Sequence, residues 1–164
     1  MTGVSLNKNT AAINVGATET LVATVTPANA TNKAVTWSSS GSSVASVDSN
    51  GVVTGVSAGS ATITVTTTDG SFTDECEVTV STVAVTGVTL DQDTLTMSVG
   101  DTETLVATVA PANATDKTVT WSSDDSTIAS VVDGVVTAEA AGTATITVTT
   151  TDGSFTDTCS VTVS

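Results

Sequence analysis

Residues 61–74 read ATITVTTTDGSFTD, and residues 144–157 carry the same string. Within it, Ile63 and Val65 fall on one side of an extended chain and Thr62, Thr64 and Thr66 on the other, because successive side chains of a strand point to opposite faces. One dry face and one wet face is the pattern of an antiparallel sheet with its core on one side. Asp69-Gly70 supplies a turn, after which Phe72, Asp74, Cys76, Val78 and Val80 share a face, with Thr73, Glu75, Glu77 and Thr79 opposite. Working outward, Leu21, Ala23 and Val25 alternate in the same way, as do Val35 and Trp37. Gly16-Ala17, Pro27-Ala28-Asn29, Ser39-Ser40-Gly41, Asn50-Gly51 and Ala58-Gly59 separate the runs as turns. Seven or eight short strands at this spacing predict a β-sandwich.

The chain contains this unit twice. Val4-Ser5-Leu6 returns at Val88-Thr89-Leu90, TETLVATV at 18–25 returns at 102–109, and Trp37 matches Trp121. After Val47 and Val131 the second copy drops one residue, so that Gly51 matches Gly134 and Cys76 matches Cys159. The first copy is expected at residues 1–81 and the second at 87–164. Residues 82–86 form a short β-prone linker without Pro or a Gly/Ser run, which restricts bending more than a flexible tether would. Each copy of about 80 residues encloses a small core with little room for an internal active site.

Composition narrows the function. Aromatic residues make up 2% of the chain, and the β-branched Thr and Val that dominate it favour strands. Seventeen acids stand against Lys8, Lys33 and Lys117, with no Arg or His, for a net charge of −14. Three scattered lysines cannot neutralise a phosphate backbone, so nucleic acid is excluded as a partner. An anionic membrane surface repels the chain, and no apolar run approaches the ~18 residues of a membrane span. Net charge of this size keeps a protein soluble and monomeric. Met1-Thr2-Gly3-Val4 reads as a start placed ahead of a domain cut from a longer protein, any export signal or anchor lying outside it.

The order of motifs resembles one family. Val-x-Leu, Val-Gly, TETLVATVTPANATNKAVTWSSS at 18–40, VASV at 44–47, NGVVTGVSAGSATITVTT at 50–67 and Cys-x-Val-Thr-Val at 76–80 are similar to the bacterial immunoglobulin-like domain, group 2. The second copy carries TETLVATVAPANATDKTVTWSSDD at 102–125 and DGVVTAEAAGTATITVTT at 133–150. The resemblance implies an all-β chain of two tandem immunoglobulin-like β-sandwiches. It also implies the settings in which such domains occur: stalks of intimin- and invasin-type adhesins, appendages of cell-wall-associated enzymes, and phage structural proteins. It implies no single activity, because function resides in sites grafted on folds.

Candidate chemistry is sparse. Without His, neither Ser nor Cys has a partner for nucleophilic catalysis. Cys76 and Cys159 lie on the dry face of the last strand, one per copy, and are expected to be buried, inert free thiols. Trp37 and Trp121, in phase with Val35 and Val119, belong to the core rather than to a sugar-stacking platform. The Thr-x-Thr runs at 62–66 and 145–149 suggest an ice-binding array, but Glu75 and Glu77 on the neighbouring strand and the twist of the sheet spoil it. Asn29-Ala30-Thr31 and Asn113-Ala114-Thr115 match the glycosylation sequon but read as turns. Residues 1–81 carry −4 (six acids, two Lys) and 82–164 carry −10 (eleven acids, one Lys). If strands alternate up and down, Asp101, Asp124, Asp125 and Glu139 gather at one end of the second copy, where the first has Ala17, Ser40, Gly41 and Val56. Oxygen clusters suit calcium, yet no EF-hand spacing is present, and the tip reads as a solvated acidic surface.

The expectation is therefore a non-catalytic spacer or display module of a bacterial surface or secreted protein, with no catalytic, cofactor-binding or metal residues and no cofactor. Its partners are adjacent domains of the parent protein. The alternative is a binding module, on a phage virion or an adhesin, that attaches to a cell-surface glycan or a host protein.

Overall fold

The computed structural model describes residues 1–164, and every regular element in it is a β-strand. The backbone divides into two units, Met1–Thr82 and Val83–Ser164. The first contains β1 (Gly3–Leu6), β2 (Thr10–Asn14), β3 (Thr18–Thr20), β4 (Ala23–Thr26), β5 (Val35–Ser39), β6 (Ala45–Val47), β7 (Val52–Gly55), β8 (Gly59–Thr67) and β9 (Thr73–Ser81). The second repeats the order as β10 (Gly87–Leu90), β11 (Thr94–Met97), β12 (Thr102–Thr104), β13 (Ala107–Ala110), β14 (Val119–Ser123), β15 (Ala129–Val132), β16 (Val135–Ala138), β17 (Gly142–Thr150) and β18 (Thr156–Val163).

Each unit is an immunoglobulin-like sandwich. In the first, one sheet runs β2-β9-β8-β5 and the other β3-β7-β6, with β1 and β4 paired separately. In the second, the corresponding sheets are β11-β18-β17-β14, β12-β16-β15 and β10-β13. All pairings are antiparallel except β2 with β9 and β11 with β18, where the start of each unit runs alongside its end. Alternation along β8 and β9 puts Ile63, Val65, Cys76 and Val78 in the interior, each fully buried, and Ile63, Cys76 and Val78 cluster with Ala45 and Val53 of the opposite sheet and with Leu21 beside it. Ile146, Cys159 and Val161 meet Leu105, Ala129 and Val136 in the same way.

Nine strand segments per unit exceed the seven or eight expected, because the chain twice changes sheet. The breaks fall at residues 7–9 and 21–22, and hydrogen bonds between them and to Gly51 take up the backbone groups that leave the ladders. Asn7 N donates to Val22 O at 3.1 Å, Val22 N donates to Asn7 Oδ1 at 2.8 Å, and Leu21 N donates to Gly51 O at 2.9 Å. In the second unit Asp91 replaces Asn7 and accepts Val106 N at 2.8 Å.

The residue lost from the second copy changes a turn and leaves the sandwich unaltered. In the first unit Asp48 N donates to Val52 O, so Ser49-Asn50-Gly51 close a three-residue hairpin loop with Gly51 at φ +81°. This is the loop length that calls for a residue in the left-handed region before the second strand. In the second unit Val132 pairs with Val135 across Asp133-Gly134 alone, at φ +49° and +84°. Asp-Gly is the dipeptide favoured by the two-residue turn in which both residues have positive φ. The glycine is obligatory in the longer loop: a Cβ on Gly51 would lie 2.5 Å from Leu21 O and 2.7 Å from Trp37 Cζ2.

Candidate functional site

The four acids of the second unit's tip are each engaged locally. Asp124 Oδ1 accepts Thr145 N at 2.7 Å, the task Ser40 Oγ performs for Thr62 N in the first unit at 2.8 Å. Asp125 Oδ1 accepts the hydroxyl and the amide of Thr127, at 2.6 and 3.0 Å. These two bonds, the hydroxyl's first, hold its carboxyl below the usual carboxylate range. Asp101 Oδ2 accepts Ser98 N at 3.0 Å, and Glu139 Oε1 accepts Ser130 Oγ at 2.8 Å. No group of three or more His, Cys, Asp or Glu residues in the chain has the arrangement to hold a metal ion. Each of the four acids thus accepts a local hydrogen bond, and at Asp124 the carboxylate takes over a task that a hydroxyl performs in the first unit.

The two thiols are free and fully buried, and desolvation pushes each above its ordinary value. Trp37 and Trp121 pack against the two cores but lie at their margins, half-buried, with the indoles over Gly51 and Gly134. Phe72 and Phe155, expected in phase with the core, are instead partly exposed and folded over Gly70 and Gly153.

The hydroxyl face differs between the copies. In the first unit Thr64 pairs with Glu75 and Thr62 with Glu77, so carboxylates interrupt the array as expected. In the second unit the corresponding partners are Thr158 and Ser160. Flanking strands add Thr94 and Thr96 on one side and Thr120 and Ser122 on the other. The wet face of β11-β18-β17-β14 is therefore an unbroken set of Thr and Ser side chains, in the unit with eleven of the seventeen acids. The charge argument against a hydroxyl array applies to the first unit alone.

Several polar residues that hold each unit together escape sequence reasoning. Thr67 and Thr150, the buried polar residues of the cores, donate to Asp69 O and Asp152 O and accept Phe72 N and Phe155 N, the latter both at 2.9 Å. Asp74 and Asp157 accept Leu6 N and Leu90 N at 2.7 Å, fastening the first strand of each unit to its last. A signal for this second pair was present: each is a carboxylate in phase with apolar residues.

The chain between the copies is fastened on both sides of a single residue. In the first unit Val15 N donates to Ser81 O at 3.0 Å. In the second, Val83 exchanges hydrogen bonds with Thr115 through Thr115 Oγ1 and N, both at 2.8 Å. Val85 N donates to Asp152 Oδ2 at 2.9 Å with the Val85 side chain buried, and Thr86 N donates to Ala110 O at 2.7 Å. Thr82 makes no such bond.

The sequence profile described as bacterial Ig-like domain (group 2) matches residues 1–78 and again 84–161. An Ig-like virion protein of Serratia phage KSP90 is 46% identical over 98% of this chain, which spans 64% of the phage protein. An alpha-L-arabinofuranosidase of Bifidobacterium longum is 43% identical over 76% of the chain, which covers 12% of that enzyme. Among solved structures, domains 4 and 5 of the S-layer protein SbsC superpose over 98% of this chain and 96% of theirs, with a TM-score of 0.50 and 19% identity, a likeness of fold.

Proposed function

Because the chain belongs to the bacterial Ig-like domain family, group 2, we propose that it is a non-catalytic structural module of a larger surface-exposed protein, a spacer or display segment, with a virion surface as its setting. The observation that carries this is the fastening of the chain up to Ser81 and again from Val83, which leaves Thr82 as the free joint. Two units that each close their own core, joined through one unfastened residue, suit a repeated structural segment. The relatives support the reading. A segment of this sequence recurs both in a virion protein and as a small part of a glycosidase, as expected of a module with no activity of its own. Polar wet faces, carrying Glu75 and Glu77 in the first unit and Thr and Ser alone in the second, together with the net negative charge keep neighbouring copies dispersed. The test is a pair of spin labels, one per unit. Inserting Gly and Ser after Thr82 should broaden the distribution of distances between them, and an unchanged distribution would sink the spacer reading.

A second reading is favoured by the charge-free hydroxyl face of β11-β18-β17-β14: attachment to a neutral glycan of a host surface. Restoring the first unit's acids, as Thr158→Glu with Ser160→Glu, should abolish retention on a glycan array. Absence of retention by the unmodified chain leaves the structural role alone.

A further inference from the structure

Asn50 is the one asparagine in the chain followed by glycine, and it lies exposed at the outer end of the β6–β7 hairpin. The amide carbon of an asparagine can be reached by the backbone nitrogen of the next residue. When hydroxide from solvent takes that nitrogen's proton, a bond forms from nitrogen to Cγ, the Cγ–Nδ2 bond breaks, and ammonia leaves with a proton from water. Water then opens the five-membered imide at one carbonyl or the other, giving aspartate or its β-linked isomer. Glycine in the second position offers no side chain to obstruct the attack.

We propose that Asn50 is a site of this modification in the folded protein and that the carboxylate of Asp48 sets its rate. Asp48 Oδ1 accepts the amides of Asn50 and Val52 at 2.8 and 2.9 Å, and its other oxygen accepts Asn50 Nδ2 at 3.4 Å. The attacking nitrogen, Gly51 N, donates to the carbonyl of the same Asp48 at 3.2 Å. Leaving group and nucleophile therefore both sit at Asp48, the first on its carboxylate and the second on its main-chain carbonyl. The hydrogen bonds it accepts, from Val52 first and then Asn50, hold that carboxyl below the usual range, so it is ionised at neutral pH. Its negative charge opposes the charge that must build on Gly51 N as the proton leaves.

In the second copy Asp133 precedes Gly134 in a turn one residue shorter, so aspartate before this glycine is compatible with the repeat although the loop differs. The β-linked product lengthens the backbone by one carbon immediately before Gly51. That residue's carbonyl accepts Leu21 N at 2.9 Å and its α-carbon lies under Trp37, so this isomer should disturb the indole.

The experiment incubates the intact folded chain at mildly alkaline pH and follows Asn50 by peptide mass mapping and isoelectric focusing, with tryptophan fluorescence alongside. An acidic species converted at Asn50 is expected, absent in Asn50→Gln. Asp48→Asn, which keeps an acceptor oxygen but loses the charge, should accelerate conversion about fivefold, the scale of one unit charge a few ångströms away in water. Equal rates in Asp48→Asn and the unmodified chain, with acceleration confined to Asp48→Ala, would assign the restraint to loop rigidity and overturn the role of the charge. An Asn50 that stays intact in the folded chain while the same chain in guanidinium converts would overturn the site itself.

Discussion

At Thr67 one hydroxyl oxygen closes the β8–β9 loop by donating to Asp69 O and accepting Phe72 N, in a position 1% exposed. Thr67→Val preserves the shape and leaves the Phe72 amide without a partner. An unsatisfied buried donor costs about 1–3 kcal/mol, so the first unit's unfolding in urea should shift by that amount, with Thr150→Val doing the same to the second. Composition cannot distinguish Thr67 from Thr66 beside it, whose hydroxyl is on the wet face; periodicity assigns a face, but a hydrogen-bond partner five residues away appears only once the loop is closed. Cys76 and Cys159 were legible as buried, and their burial has a pH signature. The folded thiols titrate above the ordinary value of 9.0, so this contribution is complete below that pH and is lost as pH rises through it towards the folded value. Unfolding free energy should therefore decline on the alkaline side, and a variant with Cys76→Ala and Cys159→Ala should lose that slope.

Among the elements, the long strands β8, β9, β17 and β18 were visible in the sequence because strict alternation runs through eight or nine residues. The breaks between β1 and β2 and between β3 and β4 were not. They depend on Asn7 and Gly51 accepting the amides of Val22 and Leu21, contacts between residues 15 and 30 positions apart. The hairpin after β15 is intermediate. Asp133-Gly134 announces a tight turn, but the need for positive φ at Asp133 follows from Val132 facing Val135. Asp133→Ala should destabilise the second unit by about 1–2 kcal/mol, since alanine lacks the local hydrogen bonding that lets aspartate occupy the left-handed region, while Asp133→Asn should be close to neutral. Thermal unfolding of the two variants distinguishes these outcomes.

For the whole chain, the segment before β10 decides where a unit begins. A chain of residues 83–164 retains the Val83–Thr115 bonds, the Val85–Asp152 bond and the buried Val85 side chain, whereas 87–164 loses them. Burial of one valine and a few hydrogen bonds amount to about 2–4 kcal/mol, and the longer piece should unfold at a correspondingly higher urea concentration. Equal midpoints would mean that residues 83–86 are only a tether. The sequence by itself determined that the chain is all-β, duplicated, sandwich-forming and strongly acidic, because side-chain alternation, repetition and net charge are properties of the string. Only the tertiary structure decided which acids serve turns, that the second unit's outer sheet face is free of charge, and that a single residue separates the fastened stretches. Each of those depends on which strands become neighbours, and neighbours in a sandwich lie far apart in the chain.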